Sequence, residues 1–109
     1  MRTLKCKALS VNEVWQGKRF KTPAYKDYEE EVMYLLPPLK IPESERLRVD
    51  YVFGLSSKNA DYDNCIKPFQ DILQKKYGFN DTRIYYATIR KVNVKNGDEF
   101  ISFEINELG

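Results

Sequence analysis

Arg46 to Phe53 alternates with a period of two: Leu47, Val49, Tyr51 and Phe53 form an apolar set, and Arg46, Arg48 and Asp50 a polar one. Successive strand residues point to opposite faces, so this segment is a strand with one dry side. That side requires a covering layer, and two helical segments supply it. Thr22 reads as an N-cap with Pro23 in the first helical position. Tyr25, Tyr28, Val32 and Leu35 then share one face, Lys26, Glu29 and Glu30 face solvent, and Pro37-Pro38 ends the helix. A second helix is predicted from about Asn64 to Tyr77, burying Ile66, Phe69, Ile72 and Leu73, with Gly78 as its C′ residue. Pro68 fits it only in the opening turn, where a backbone N–H has no helical acceptor.

The other segments are extended or irregular. Thr3 to Leu9 alternates, with Leu4, Cys6 and Ala8 on one side. Ser10 to Lys21 is irregular and basic. Ile84 to Val94 and Phe100 to Ile105 read as a hairpin closed by Asn96-Gly97, the preferred pair for a type I′ turn. The order is β-α-β-α-β-β. In 109 residues without a linker or repeat this is one domain, residues 1–109, of the α+β class: one mixed or antiparallel sheet with two helices.

Absent residues narrow the chemistry. There is no histidine, which excludes Ser-His-Asp and Cys-His nucleophiles and histidine zinc sites. The two cysteines, Cys6 and Cys65, match no metal-knuckle spacing. No apolar run approaches a membrane span and the first residues lack a signal peptide's apolar stretch, so the expected location is the cytoplasm, with both thiols free and buried. Acid–base or metal chemistry therefore falls to carboxylates, lysines, tyrosines or water.

The net charge is only +2, but its signs are segregated. Residues 1–26 hold seven lysines and arginines against Glu13, and residues 83–95 hold Arg83, Arg90, Lys91 and Lys95 without an acid. Between them lie Asp61, Asp63, Asp71 and Asp81. Basic surfaces flanking an acidic focus suit a polyanion, although a charged solvated exterior gives the same pattern.

The densest chemistry is Asp61-x-Asp63-Asn64-x-x-Lys67-x-x-x-Asp71, followed by Asn80-Asp81. A purely structural account makes Asp63 or Asn64 an N-cap and Lys67–Asp71 an i,i+4 ion pair. Capping needs one side chain, however, and clustered carboxylates repel one another unless a cation intervenes. Hard oxygen donors of this kind suit Mg²⁺ or Mn²⁺.

From about Ser10 to Glu104 the chain resembles the RusA-type Holliday junction resolvases, small endodeoxyribonucleases common in prophages. The similarity rests on Ser10-Val11-Asn12-x-x-Trp15, Lys18-Arg19 and Tyr25-Lys26, on Asp61-x-Asp63-Asn64-x-x-Lys67 with Asp71, and on Gly78 with Asp81. The resemblance implies a Mg²⁺-dependent phosphodiester hydrolase resolving four-way junctions by paired symmetric nicks in DNA recombination or repair. Asp61, Asp63 and Asp81 would be metal-binding catalytic carboxylates and Lys67 a further catalytic residue facing the scissile phosphate. Asn64, Asn80 and Asp71 would be supporting residues. Where the family shows two acids in a row this chain has Asn80-Asp81: a neutral residue there either weakens metal binding or only positions the loop, and the second reading is favoured because an amide oxygen still accepts a hydrogen bond.

Trp15, Lys18, Arg19, Lys21, Arg83, Arg90 and Lys91 are the expected DNA-binding residues, the basic ones tracking phosphates. Trp15, Phe20, Tyr85 and Tyr86 either stack on bases at a branch point or pack in the core, with Tyr85 and Tyr86 on opposite faces of their strand. Two symmetric cuts imply a homodimer, for which Leu35, Leu36 and the Phe100 side of the last strand are candidate contacts. No small-molecule cofactor and no membrane is expected. The alternative is a catalytically idle DNA-binding or architectural dimer on the same fold.

Overall fold

The computed structural model describes the backbone of residues 1–16 and 20–109 and the side chains of residues 1–14 and 21–109. The alternating segment becomes β4 (Leu47–Leu55), following β1 (Arg2–Leu4), a short ladder of β2 (Trp15–Gln16) with β3 (Phe20–Lys21), and α1 (Pro23–Leu35). After β4 come α2 (Asp63–Tyr77), β5 (Ile84–Asn93) and β6 (Phe100–Glu107). The class is α+β, with a mixed four-stranded sheet in the order β1-β6-β4-β5. The segment expected to be irregular before α1 thus contains a small antiparallel ladder, Trp15 opposite Lys21, after a 3-10 turn at Val11–Glu13.

Leu47, Val49, Tyr51 and Phe53 are buried as the alternation requires, and α1 and α2 share one hydrophobic cluster with them. Phe69 of α2 meets Tyr51, Phe53 and Phe103 edge-on at 6.2, 6.3 and 5.7 Å between ring centroids, geometry that aromatic rings favour. Thr22 caps α1, its hydroxyl accepting from the Tyr25 N–H at 3.1 Å, and Tyr25, Tyr28 and Val32 are buried. A carboxylate, Glu29, ties α1 to α2 by accepting from Lys75 at 2.7 Å and from the Tyr25 hydroxyl at 2.9 Å. Leu36 is buried in the core and so is not a contact for a second chain, whereas Leu35 is half-buried against it.

Two local expectations need correction. Pro68 lies inside α2, as its sixth residue, rather than in the opening turn. The helix begins at Asp63, and the buried pyrrolidine is held by packing at the cost of the hydrogen bond to the Asn64 carbonyl. Secondly, β5 and β6 are not a hairpin. They flank β4, β5 parallel to it and β6 antiparallel. The connection from residue 94 to 99 reaches about 20 Å when extended, ample for the roughly 10 Å that separates strands on either side of a third. Only Gly97 has positive φ there, with the Asp98 N–H bonded to the Lys95 carbonyl, whereas a type I′ turn needs positive φ at Asn96 as well. The strand with most apolar surface takes the centre, where both edges are paired and its apolar face is covered by the helices.

Candidate functional site

The loop after β4 delivers the first acids. Lys91 donates to the carbonyls of Lys58 at 3.0 Å and Ala60 at 2.6 Å, pinning the loop that carries Asp61. Asp61 and Asp63 are exposed, and the Asn64 amide donates to Asp61 at 3.4 Å. Neither Asp63 nor Asn64 caps α2, because the residue before the helix is Tyr62 and no side chain caps it. Asp63 instead sits in the first turn, where the helix dipole favours its charge.

Asp81 arrives by the return of the chain. Gly78 closes α2 in the left-handed region, φ 70°, which a residue without a Cβ adopts freely. Phe79 is buried, and Asn80 caps a 3-10 turn at Asp81–Arg83, its side-chain oxygen accepting from the Thr82 N–H at 2.9 Å. Asn80 thus holds the turn that carries Asp81. The Asp81 N–H donates to Gln74 Oε1 at 2.9 Å, and the Gln74 amide donates to Asp71 at 3.3 Å. Lys67 Nζ lies 3.0 Å from Asp71 and 3.4 Å from Asp81. The hydrogen bond to Asp71 is the main cause of a raised lysine pKa, burial opposes it, and the charges of Asp71 and Asp81 add to it.

The structure thus gathers Lys67, Asp71 and Asp81, with Gln74 behind them. It does not gather Asp61, Asp63 and Asp81: no group of three His, Cys, Asp or Glu side chains placed to hold a metal ion occurs among the described residues. Asp81 shares its lysine with Asp71, and eight residues of helix carry Asp71 about 12 Å along the axis from Asp63. Carboxylates with no ion between them repel, and Asp81 pairs with the ammonium within reach. The donors suit a hard divalent cation in kind, but in this conformation their placement does not form its site.

The basic residues divide by role. Arg83 donates to the carbonyls of Pro42, at 2.5 Å, and Ser44, which fastens the segment before β4. Like Lys91, it is occupied in holding backbone. Arg90 is exposed on the outward face of β5, opposite Val52. Lys21 lies 4.3 Å from the centroid of the Tyr25 ring. Lys18 and Arg19 lie outside the described residues, as do the side chains of Trp15 and Phe20.

Sequence reasoning misses the outward face of the sheet. A register shift leaves Leu47 opposite Ile84 but Arg48 opposite Tyr86, so Tyr85 is an extra residue. Arg46 lies over the Tyr85 ring and Arg48 over the Tyr86 ring, which puts both tyrosines on one face instead of two. Asp50 is buried, accepts from Arg48 at 3.1 Å and from the Thr88 hydroxyl, and so is no solvated charge. The alternation identifies Arg48 and Asp50 as outward, but a single-residue bulge leaves no mark in composition.

No helix among the described residues is long and apolar enough to cross a membrane. Compared with models of known protein families and with curated protein sequences, the chain matches none.

Proposed function

We propose that the chain is a structure-selective endodeoxyribonuclease of the RusA type, acting on four-way DNA junctions in the cytoplasm as a homodimer that makes paired nicks during recombination or repair. The observation that carries this reading is the meeting of Lys67 with Asp81, 14 residues apart and brought together by the turn that follows α2 at Gly78. Both belong to the motif that carries the resemblance, and an ammonium between carboxylates is equipped to neutralise a phosphate oxygen while a carboxylate accepts a proton. Asn80 and Gln74 position Asp81 through the turn and its backbone N–H. The prophage origin and the symmetric pair of sites follow from the resemblance alone.

The reading includes Mg²⁺ or Mn²⁺ on Asp61, Asp63 and Asp81. Among the described residues these three are not placed together to hold an ion, and one oxygen of Asp81 faces Lys67. That observation favours the second reading, a catalytically idle junction-binding dimer. Incubating a synthetic four-way junction with the protein and Mg²⁺ or Mn²⁺ separates the two. The expected result is symmetric nicking that falls by about 10²-fold or more in Asp63→Asn, with junction binding retained. Junction binding without nicking by the unaltered chain, in either metal, establishes the idle binder instead.

A further inference from the structure

The outward face of the sheet carries a row of guanidinium and phenol groups left exposed among the described residues. Arg46 Cζ is 5.1 Å from the Tyr85 ring centroid and Arg48 Cζ is 4.6 Å from that of Tyr86, both within cation–π range. Tyr85 and Tyr86 remain 63% and 47% exposed, large values for aromatic residues in a strand. The arrangement is braced from beneath. Asp50, only 9% exposed, receives Arg48 Nε on both oxygens at 3.1 and 3.3 Å and holds the guanidinium over Tyr86. Arg90 lies on the same face, in register with Val52. Among the described residues at outward strand positions, the acids are the committed Asp50 and its register neighbour Glu104.

Flat π surfaces beside fixed cations are the chemistry that binds unpaired bases joined by phosphates: bases stack on the rings while arginines take the anions. Duplex bases present no free faces to such a surface. β5 is also an edge strand, with no strand paired beyond it among the described residues, and Asp81 precedes Tyr85 by four residues. A strand crossing the platform and turning over this edge comes to the helix side at Lys67 and Asp81.

We propose that Tyr85 and Tyr86, with Arg46, Arg48 and Arg90, form a docking platform for single-stranded DNA, such as the unpaired segment at a branch point. The platform deepens the nuclease reading and rests on it for the choice of DNA as the polyanion.

Binding measured in EDTA keeps this test separate from cleavage. Fluorescence anisotropy with a dye-labelled oligothymidine of about 12 nucleotides, with a duplex of equal length and with a four-way junction is expected to rank the single strand above the duplex. The double variant Tyr85→Ala/Tyr86→Ala should bind the single strand about tenfold more weakly or worse, and Tyr85→Phe/Tyr86→Phe should bind within about twofold of the unaltered chain. Arg90→Ala serves as a second variant should the double alanine fail to fold: the Arg90 side chain makes no hydrogen bond or ion pair among the described residues. It should weaken binding and flatten its salt dependence. Equal binding by the alanine variant, an unchanged salt slope in Arg90→Ala when that variant cannot fold, or a preference of the unaltered chain for duplex overturns the platform. A chain that nicks junctions yet shows no ring dependence sinks the platform and leaves the nuclease reading standing. Ring-dependent binding without nicking does the reverse.

Discussion

Cys6 and Cys65 are buried free thiols, as a chain of reduced cysteines requires. Burial, reinforced by the charge of Glu31, pushes the Cys6 thiol up to about 12. Burial together with Glu13 and Asp63, against an opposing Lys91, pushes Cys65 up to about 11. Their ordinary value is 9.0, so at neutral pH neither supplies a thiolate for alkylation or metal binding. A raised native pKa means that the folded state keeps its protons longer. This contribution is whole below about pH 9, where both states are protonated, and is lost as pH rises toward 11–12 and only the unfolded thiols ionise. Urea unfolding at pH 7 and pH 10.5 should show the unaltered chain losing at least about 1 kcal/mol per thiol more than Cys6→Ala/Cys65→Ala. An equal loss in the two proteins would refute the assignment, since the tyrosines titrate in both. Residue-scale chemistry was only partly legible. Lys67–Asp71 is an i,i+4 pair that spacing alone predicts, whereas Arg83 and Lys91 look like free cations in sequence and are held by carbonyls about 39 and 31 residues distant.

At the scale of elements, helix ends were legible and strand partners were not. Thr22-Pro23 and Gly78 act through hydrogen bonds within a few residues, so their chemistry is written locally. The pairing of β4 with β5 and β6 depends on which strand buries most surface, a comparison across the whole chain. Gly54 shows the consequence. The Phe100 ring of β6 lies over it, and a Cβ at that position would overlap ring carbons. Gly54→Ala should therefore destabilise the fold by about 1–3 kcal/mol in urea titration, and Phe100→Ala in the same chain should recover part of that loss. Additive effects in the double-mutant cycle would show that the ring is not what fills the glycine's place.

At the scale of the molecule, β4 is hydrogen-bonded on both sides and lies beneath both helices, whereas β5 has one free edge. Amide exchange should accordingly be slowest in β4 and faster along the outer edge of β5, and the opposite order would contradict the strand order. Sequence alone determined the α+β class, the two helices with the Thr22 cap of the first and the Gly78 end of the second, and the inward set of β4, because periodicity and these end signals are short-range and depend on a few neighbouring side chains. Tertiary structure alone decided that β5 and β6 part around β4, that Tyr85 and Tyr86 share a face, and that Asp81 meets Lys67 instead of Asp61 and Asp63. Those outcomes depend on competition among distant segments for one central position and among charges for the nearest counter-charge, and neither contest is settled by any stretch of chain read by itself.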